Sequence, residues 1–360
     1  MEHYYALIMA GGGGTRLWPL SRRNRPKQML PLMSKDSMFR VAVLRLVTLF
    51  PFNRIFVVTG ADQVEGLRAD VPELPAENFI LEPFGMDSGP AAGLGLVTIQ
   101  KRDPQATIAI LTADHHIQDL VGFLNALRAA HDVAQNGYVV TLGIQPGYPA
   151  TGFGYIEQGA ALQETHGCQA YIANAFKEKP SFETAQQFLE AGNYTWNSGM
   201  FVWRATDAQA EFERQQPAMA TLLQTLQAQQ GQPAYPATLA QLWGQMPRLS
   251  LDYAVMENAA RVATIPVNIG WSDIGSWAAV YEALAAQVGD NVVMDERGNH
   301  VDIDTRGTLV HSKRTVVTIG LEDLVIVDTD DVLMICKRER AQDVRQAVQQ
   351  LKDNALDDLL

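Results

Sequence analysis

The first half of this 360-residue chain alternates apolar runs of strand length with longer stretches of helical spacing. The runs are residues 5–9, 55–59, 79–82, 107–112 and 138–143, and Gly, Pro, Asn or Asp residues bound them, as is typical of buried strands. The helical stretches between them are residues 37–50, 88–101 and 119–136. Alternating strands and helices form βαβ units, so we predict an α/β fold whose mostly parallel sheet carries helices on both faces.

The composition changes twice after this alternation. Residues 206–245 are rich in Ala and Gln, which predicts helical packing at the edge of the same domain. From about residue 291, six short β-rich runs predict a small module, either a sheet or a solenoid with short rungs. Residues 339–351 then have helical spacing. We predict a large domain over residues 1–288 and a small β-rich domain with a final helix over residues 289–360.

The chain is acidic, with 28 Lys and Arg against 40 Asp and Glu and a net charge of -12. This balance argues against nucleic acid as the main partner, although a few local cations can still bind a small phosphorylated ligand. Cys168 and Cys336 lie too far apart in sequence for a C-x-x-C metal or redox site. No window approaches the roughly 18 apolar residues of a membrane span, and the start lacks the basic flank of a signal peptide. We expect a cytoplasmic protein without a membrane partner.

A glycine run directly follows the first predicted strand, at the place where open α/β sheets bind ligands. It comprises Ala10, Gly11, Gly12, Gly13, Gly14 and Thr15, and such a loop lets backbone amides approach an anion. Arg16 replaces the third glycine of a dinucleotide loop, and the absence of a Gly-Lys pair excludes a P-loop. Four glycines alone favour an ordinary turn before a solvated basic loop. Five cations within twelve residues favour a polyphosphate site instead: Arg16, Arg22, Arg23, Arg25 and Lys27.

Two aspartates far apart in sequence are candidates for a metal site. Asp114 follows the predicted strand 107–112, so it should face the same crevice as the glycine loop, and Asp273 lies in a turn-like segment. Mg²⁺ takes one or two protein carboxylates and completes its shell with phosphate oxygens and water, which suits two aspartates around a triphosphate. The alternative is that each aspartate caps the helix after it, and for either residue alone capping is the commoner role.

The residues around the glycine run resemble a known family. The stretch MAGGGGTRLWPLSRRNRPKQ, residues 9–28, is similar to the signature of nucleotidyltransferases that make nucleoside-diphosphate sugars, and its LWPLSR portion resembles the mannose-1-phosphate guanylyltransferases. Further blocks similar to that family follow in order along almost the whole chain: TGFGYIE, FKEKP, YTWNSGMF, SLDYAVME and GWSDIGSW. The resemblance implies a Rossmann-like catalytic domain of the glycosyltransferase-A type over residues 1–288, and a β-helix-like domain after it.

The resemblance also implies a reaction in which GTP and α-D-mannose 1-phosphate give GDP-mannose and pyrophosphate, with Mg²⁺ as the cofactor. A sugar phosphate is already an adequate nucleophile, so positioning and charge neutralisation would suffice without a Ser, Cys or His base. By the family's pattern, Arg16 and Lys27 would bind the triphosphate, Asp114 and Asp273 the metal, and the loop at 10–15 the nucleotide. We expect Arg16→Ala and Lys27→Ala each to lower turnover by orders of magnitude.

The other family blocks imply the remaining site residues: Gly154, Glu178, Lys179 and Asn197 for the sugar and its phosphate, and Glu82 and Asp87 for the base. The alternatives are a plain hairpin at GFGYIE and a surface ion pair at Glu178-Lys179. SLDYAVME, residues 250–257, predicts mainly a packing helix with Asp252 near its start. The base segment departs from the family, because MDSGPA at residues 86–91 stands where the relatives usually show RNTAPA. The missing arginine removes a cation near the nucleotide.

Two other functions are compatible with these blocks. One is another nucleotide-sugar pyrophosphorylase, such as a glucose-1-phosphate uridylyl- or thymidylyltransferase, although those relatives lack the Trp-Pro-Leu-Ser block in this form. The other is a regulatory subunit that binds nucleotide sugar without turnover. The β-rich domain carries no catalytic set and is a candidate for subunit contact, for example in a homodimer. Longer relatives add a phosphomannose isomerase domain, and because this chain ends at Leu360 we expect no isomerase activity.

Overall fold

The structure is a computed structural model that describes residues 1–12, 14–294 and 299–360. Within these residues nine strands form one sheet: β1 (Tyr4–Met9), β2 (Ile55–Gly60), β3 (Phe79–Glu82), β4 (Thr107–Thr112), β5 (Val139–Ile144), β6 (Tyr155–Thr165), β7 (Cys168–Lys177), β8 (Tyr194–Arg204) and β9 (Val262–Val267). Their order across the sheet is β3-β2-β1-β4-β8-β5-β9-β7-β6. The first four are parallel to one another and β5 is parallel to β9, whereas the other pairings are antiparallel.

The α/β class is confirmed, and the sheet is more mixed than the sequence predicts. All five predicted strands are present, with ends that differ from the prediction by at most one residue. The antiparallel strands come from the part of the chain where the sequence predicts no strands. There, β6 and β7 are joined by His166 and Gly167, which both have positive φ (50° and 72°). Such a two-residue turn closes an antiparallel hairpin.

Helices occupy the segments between the strands: α1 (Met38–Leu44), α2 (Val64–Asp70), α3 (Ser88–Arg102), α4 (Leu120–Ala134), α5 (Phe182–Ala191), α6 (Ala205–Gln215), α7 (Pro217–Gln229), α8 (Tyr235–Trp243), α9 (Leu251–Ala254) and α10 (Trp277–Leu284). The predicted helix 37–50 ends early, because three-residue turns such as Leu46 N–H to the Val43 carbonyl replace the helical bonds after Leu44. The short helix α2 was not predicted, since its seven residues include Gly66 and only Val64 and Leu67 among them are buried. Among the described helices, none is long and apolar enough to cross a membrane.

The C-terminal part is a small β-rich module, as predicted. Its strands are β10 (Val292–Val293), β11 (His300–Ile303), β12 (Leu309–His311), β13 (Val316–Ile319), β14 (Leu324–Asp328) and β15 (Leu333–Lys337). The strands β10, β12 and β14 pair in parallel, β11 pairs in parallel with β13, and β15 closes the larger sheet in antiparallel. Parallel pairing of every second strand gives the rungs of a solenoid. The helix α11 (Val344–Asp353) follows, with its start inside the predicted range.

The chain divides into two compact units, and each has its own apolar core. One unit comprises Met1–Gly11, Val43–Ala113 and Ile117–Trp271. The other comprises Gly12–Ala42, Asp114–His116 and Ser272–Leu360, with Leu17 and Trp18 in the same core as Trp277, Val325 and Val344. This division differs from a simple cut at residue 288, because the basic segment after the glycine run packs with the C-terminal residues.

Candidate functional site

The glycine loop and Asp114 follow neighbouring strands. β1 pairs in parallel with β4, Met9 lies opposite Thr112, and the Ala113 amide donates to the Met9 carbonyl at 3.2 Å. Ala10 is buried at the end of β1, where its amide donates to the Val58 carbonyl at 2.9 Å. The two chain segments therefore leave the sheet at the same edge, as the sequence predicts.

Backbone geometry explains two of the glycines in the loop. Gly12 has a φ of 92° and Gly14 a φ of 57°, both in the region that favours glycine. A Cβ added at Gly11 or Gly12 would meet no described atom within 4 Å, whereas one at Gly14 would lie 2.4 Å from the Lys27 Cβ. The loop is thus open at Gly11 and Gly12 and in close contact with Lys27 at Gly14. Gly13 lies outside the described residues.

Lys27 is the centre of one group of predicted site residues. It is only 7% exposed, and its Nζ donates to Asp114 Oδ2 at 2.7 Å and to the Asp273 carbonyl at 2.5 Å. Burial raises the pKa of the Asp114 carboxyl, but the charges of Lys27 and His115 and the Lys27 hydrogen bond outweigh it and hold that pKa below its ordinary value. Lys27 therefore keeps Asp114 ionised and joins it to the Asp273 segment.

An isolated antiparallel pairing brings the two aspartate segments together. The His116 amide donates to the Ser272 carbonyl at 2.9 Å, and the Ser272 amide donates back to the His116 carbonyl at 3.1 Å. Asp273 directly follows this pair, and its Oδ1 accepts from the Gly275 amide at 3.0 Å. A Cβ at Gly275 would come within 2.6 Å of Asp273 Oδ2, so a larger residue there would displace the carboxylate.

Neither aspartate is a helix cap. The cap of α4 is Asp119, whose Oδ1 accepts from the Gly122 amide at 2.9 Å, and the cap of α10 is Ser276, whose side chain accepts from the Ala279 amide. The common structural role of an aspartate before a helix is therefore filled by other residues. This observation removes the main alternative to a ligand-binding role for Asp114 and Asp273.

Arg16 lies in a single turn, Thr15–Leu17, directly after Gly14. Burial and the like charge of Arg345 lower the pKa of its guanidinium, and the carboxylates of Asp273 and Asp114 act in the opposite direction. The charge of Arg16 therefore lies within electrostatic range of both aspartates. Arg16, Lys27, Asp114 and Asp273 form one polar group within a single compact unit.

A second group lies in the other compact unit, around Glu178 at the end of β7. Glu178 is 8% exposed, and its Oε1 accepts from Lys179 Nζ at 2.9 Å. Its Oε2 is buried and has no hydrogen-bond partner among the residues that the structure describes. That oxygen would lie 2.4 Å from a Cβ on Gly154, and the Gly154 carbonyl accepts from the Asn197 amide at 2.8 Å. The structure thus brings Gly154, Glu178, Lys179 and Asn197 together around a carboxylate oxygen that can accept a further hydrogen bond.

Asp252 also belongs to this second group, although its sequence pattern predicts mainly a packing helix. Its Oδ1 accepts from Asn197 Nδ2 at 2.7 Å, and Asn197 Oδ1 in turn accepts from the Gly199 amide at 3.1 Å. Burial and the nearby Glu178 charge raise the pKa of Asp252 to about 6, against the opposing effects of Asn197 and Lys179. The predicted packing helix is only one turn, α9, and it positions Asp252 at its second residue.

Aromatic rings lie beside this second group. Trp196, next to Asn197 on β8, contacts Tyr148 at a centroid distance of 4.9 Å and Phe153 at 5.2 Å, and Phe153 contacts Trp271 at 5.4 Å. The indole Nε1 of Trp196 is buried without a hydrogen-bond partner in the described chain. The Glu178 group itself combines two carboxylates, amides and one exposed ammonium.

The predicted base residues lie where β3 passes into α3. Glu82 is the last residue of β3, and burial raises the pKa of its carboxyl to about 7. Asp87 has a φ of 77° and caps α3, since its Oδ1 accepts from the Ser88 amide at 2.7 Å. Two hydrogen bonds hold the loop between Glu82 and Asp87. Trp243 Nε1 donates to the Phe84 carbonyl at 2.6 Å, and Arg248 donates to the Gly85 carbonyl at 2.9 Å.

Comparison with known proteins accounts for almost the whole chain. Residues 5–288 match the nucleotidyl transferase family, and residues 298–351 match the mannose-phosphate isomerase/GMP-like β-helix domain. The mannose-1-phosphate guanylyltransferase of Klebsiella pneumoniae is 35% identical over 352 residues, which cover 97% of this chain and 74% of that protein. The mannose-1-phosphate guanylyltransferase of Escherichia coli K12 is 35% identical over 360 residues, covering 97% and 73%. The chain belongs to the mannose-1-phosphate guanylyltransferase family.

A solved structure supports this membership of the guanylyltransferase family. The crystal structure of a mannose-1-phosphate geranyltransferase from Thermus thermophilus has a TM-score of 0.88 and 34% identity, and it covers 97% of this chain and 99% of its own. The resemblance that residues 9–28 indicated is thereby confirmed. So are the nucleotidyltransferase class and the β-helix-like nature of the C-terminal domain.

Two functional candidates in this member of the guanylyltransferase family were missed from the sequence. Asp252 lies in the family block SLDYAVME, which is a signal for a functional role. The helical pattern of that block indicated packing instead. Arg345 lies in the amphipathic final helix, where a charged residue looks like part of a solvated face. Only the tertiary structure places its charge near Arg16.

Proposed function

We propose that this chain transfers a guanylyl group from GTP to α-D-mannose 1-phosphate, which gives GDP-mannose and pyrophosphate. Family membership supports this reaction, since the named relatives are mannose-1-phosphate guanylyltransferases. The observation that carries the proposal is the buried Lys27, whose ammonium joins Asp114 to Asp273 beside the open glycine loop. A buried cation that binds one aspartate carboxylate and the backbone of a second aspartate at a glycine loop suits the charge distribution of a triphosphate with its metal.

In this proposal the glycine loop and its cations bind the nucleotide phosphates. Gly11 and Gly12 leave room for a phosphate, because a side chain at either would meet no described atom. Arg16 and Lys27 supply positive charge at the loop, and the low exposure of Lys27 strengthens its interaction with an anion. Arg16 stabilises the charge that develops on the departing pyrophosphate.

The residues present fit a magnesium ion. Among the described residues no three His, Cys, Asp or Glu side chains form a cluster that could hold a metal alone, whereas Mg²⁺ needs only one or two protein carboxylates beside phosphate oxygens. Asp114 and Asp273 would hold it, and His116 and Ser272 fix their separation. When bound, the ion supplies neutralising charge to the triphosphate.

The chemical step needs no protein nucleophile. An oxygen of the mannose 1-phosphate attacks the α-phosphorus, a new P–O bond forms, and the bond from the α-phosphorus to the bridging oxygen breaks. The electron pair leaves with pyrophosphate, and no proton has to move. The chain's contribution is to hold the two substrates in line and to neutralise their charge.

The Glu178 group is assigned to the sugar phosphate. The buried, unpartnered Oε2 of Glu178 accepts from sugar hydroxyls, because an unpaired carboxylate oxygen at that depth is costly without a ligand. Lys179 Nζ, on a side chain that is 59% exposed, can turn from Glu178 toward the phosphate.

Pyrophosphate release from GTP and mannose 1-phosphate in the presence of Mg²⁺ tests the proposal. We expect release to require all three, and to fall by orders of magnitude in Asp114→Asn and Lys27→Met. Asp330→Asn is the matched control, because Asp330 is an exposed acid (85%) that pairs with Lys313 in the β-rich part. A wild-type chain that binds the substrates but releases no pyrophosphate would support the regulatory alternative.

The choice of nucleotide needs its own measurement, since the segment at 86–91 departs from the family's usual sequence. The same assay with GTP, ATP, UTP, CTP and dTTP should give the highest kcat/KM for GTP. Equal rates with all five would contradict the guanylyl part of the proposal. The uridylyl- or thymidylyltransferase alternative would be favoured only if UTP or dTTP gave the highest value.

A further inference from the structure

The C-terminal helix α11 packs on the turn that carries Arg16. Its Val344 and Val348 are buried in the same apolar core as Leu17 and Trp18, and α11 contacts the turn Thr15–Leu17 directly. Residues near the end of the chain add polar contacts, since Trp18 Nε1 donates to the Leu359 carbonyl at 2.7 Å. All these residues belong to one compact unit, so the position of α11 relative to the Arg16 turn is fixed by a shared core.

One side of α11 presents positive charge toward this turn. Arg345, Val348 and Lys352 are spaced as neighbours on one helix side. Val348 and Lys352 line a cavity of about 170 Å³ together with Thr15, Arg22 and Arg23 of the signature segment. The like charge of Arg345 helps to lower the pKa of the Arg16 guanidinium, so Arg345 lies within electrostatic range of Arg16. The β-rich part therefore adds cations to those of the signature segment.

We propose that Arg345 of the C-terminal helix is a substrate-binding residue that acts with Arg16 on the β- and γ-phosphates of the nucleotide and on the pyrophosphate product. The inference rests on the proposed function, because it takes the triphosphate to lie at the glycine loop. It assigns part of the phosphate site to the β-rich part, where the sequence indicates no catalytic set.

The physical reason is the like charge of the two arginines. Two guanidinium groups in electrostatic range repel each other, and the repulsion persists in a stable fold only because packing fixes their elements. A polyphosphate between them turns this repulsion into two attractive interactions, since each guanidinium can donate paired hydrogen bonds to phosphate oxygens. The substrate with the highest density of negative charge, pyrophosphate, should depend most on the pair.

The test compares Arg345→Gln with Arg340→Gln in the full chain. Arg340 precedes α11 and pairs with Asp343 on the surface, with 67% of its side chain exposed, so it controls for the loss of one positive charge. Three quantities are measured: the Kd of inorganic pyrophosphate by calorimetry, the KM for GTP, and the KM for mannose 1-phosphate. Thermal unfolding of each variant checks the fold, and Arg345→Lys keeps the charge without the paired donors.

We expect Arg345→Gln to raise the pyrophosphate Kd and the GTP KM by about tenfold or more, the change expected when a charge-assisted hydrogen bond is lost. The KM for mannose 1-phosphate should stay unchanged, and Arg345→Lys should restore part of the affinity. Pyrophosphate binding by Arg345→Gln equal to that by Arg340→Gln would overturn this inference alone. A wild-type chain that binds no pyrophosphate would overturn the proposed function as well.

Discussion

Substitution of Gly14 by alanine should displace the Lys27 side chain without changing its chemical identity, and so lower turnover. Gly14 has a φ of 57°, and the left-handed conformation costs an alanine about 1–2 kcal/mol of stability. The new Cβ would also lie 2.4 Å from the Lys27 Cβ and 3.0 Å from the Lys27 amide nitrogen, both shorter than the 3.4 Å of ordinary contact. Lys27 or the loop must therefore move by about an ångström, which is enough to cost about 100-fold in rate when a catalytic group is misplaced.

The matched control is Gly192→Ala, since Gly192 ends α5 with a φ of 74° and has no described atom within 4 Å of an added Cβ. Both variants should lose stability in urea unfolding through the same backbone cost, and Gly14→Ala should lose more because of its clash with Lys27. Only Gly14→Ala should lose turnover in the Mg²⁺-dependent pyrophosphate-release assay. Equal turnover in the two variants would refute the argument that close contact with Gly14 positions Lys27.

Three further predictions concern titration and capping. Burial and the Glu178 charge raise the pKa of Asp252 to about 6 from an unfolded value of about 3.9, so the wild-type fold loses stability as the pH rises through this range. Asp252→Asn should therefore gain stability relative to the wild type between about pH 4 and pH 7 in urea unfolding, and a difference independent of pH would contradict this. Burial raises the pKa of Glu82 to about 7, so part of this carboxyl is protonated near neutral pH. A guanine bound through its N–H donors needs the ionised carboxylate. GTP binding near neutral pH should therefore release more protons from the wild type than from Glu82→Gln. Calorimetry in two buffers of different ionisation enthalpy measures this release, and equal values would remove Glu82 from the base site. Ser276→Ala should cost about 1 kcal/mol of stability and leave turnover normal, because it removes the cap of α10. Asp273→Asn should keep the stability of the wild type and lose turnover. If Asp273→Asn were instead as unstable as Ser276→Ala and fully active, its role would be structural.

Local patterns predicted the five strands of the first half, the β-rich C-terminal module and most residues of the candidate site. The strands 79–82 and 107–112 were predicted to the residue because buried parallel strands are short, apolar and bounded by clear breakers. The family blocks placed Glu178 and Asn197 in one group, and both lie beside Gly154 in the structure. Patterns of this kind depend only on neighbours in sequence.

What could not be predicted depends on contacts between distant segments. The pairing of His116 with Ser272 holds the two aspartate segments together, yet it involves one residue from each segment and leaves no period in the sequence. The close contact of Gly14 with Lys27 could not be predicted either, since the sequence does not show which glycine of a loop packs against another residue. The mixed sheet was missed because β8 lies between β4 and β5, although it follows both in sequence.

The compact unit that holds Lys27 is assembled from three separated stretches, and this has a consequence for synthesis. Gly12–Ala42 leave the ribosome early, whereas Ser272–Leu360 leave it more than 200 residues later. Chains fold from the N-terminal end as they emerge, and contacts between distant residues form late. The partners of Lys27 at Asp273 and of Trp18 at Trp277 do not exist when the first stretch emerges. A nascent chain therefore carries the segment around Lys27 without these partners until residues 272–277 have emerged.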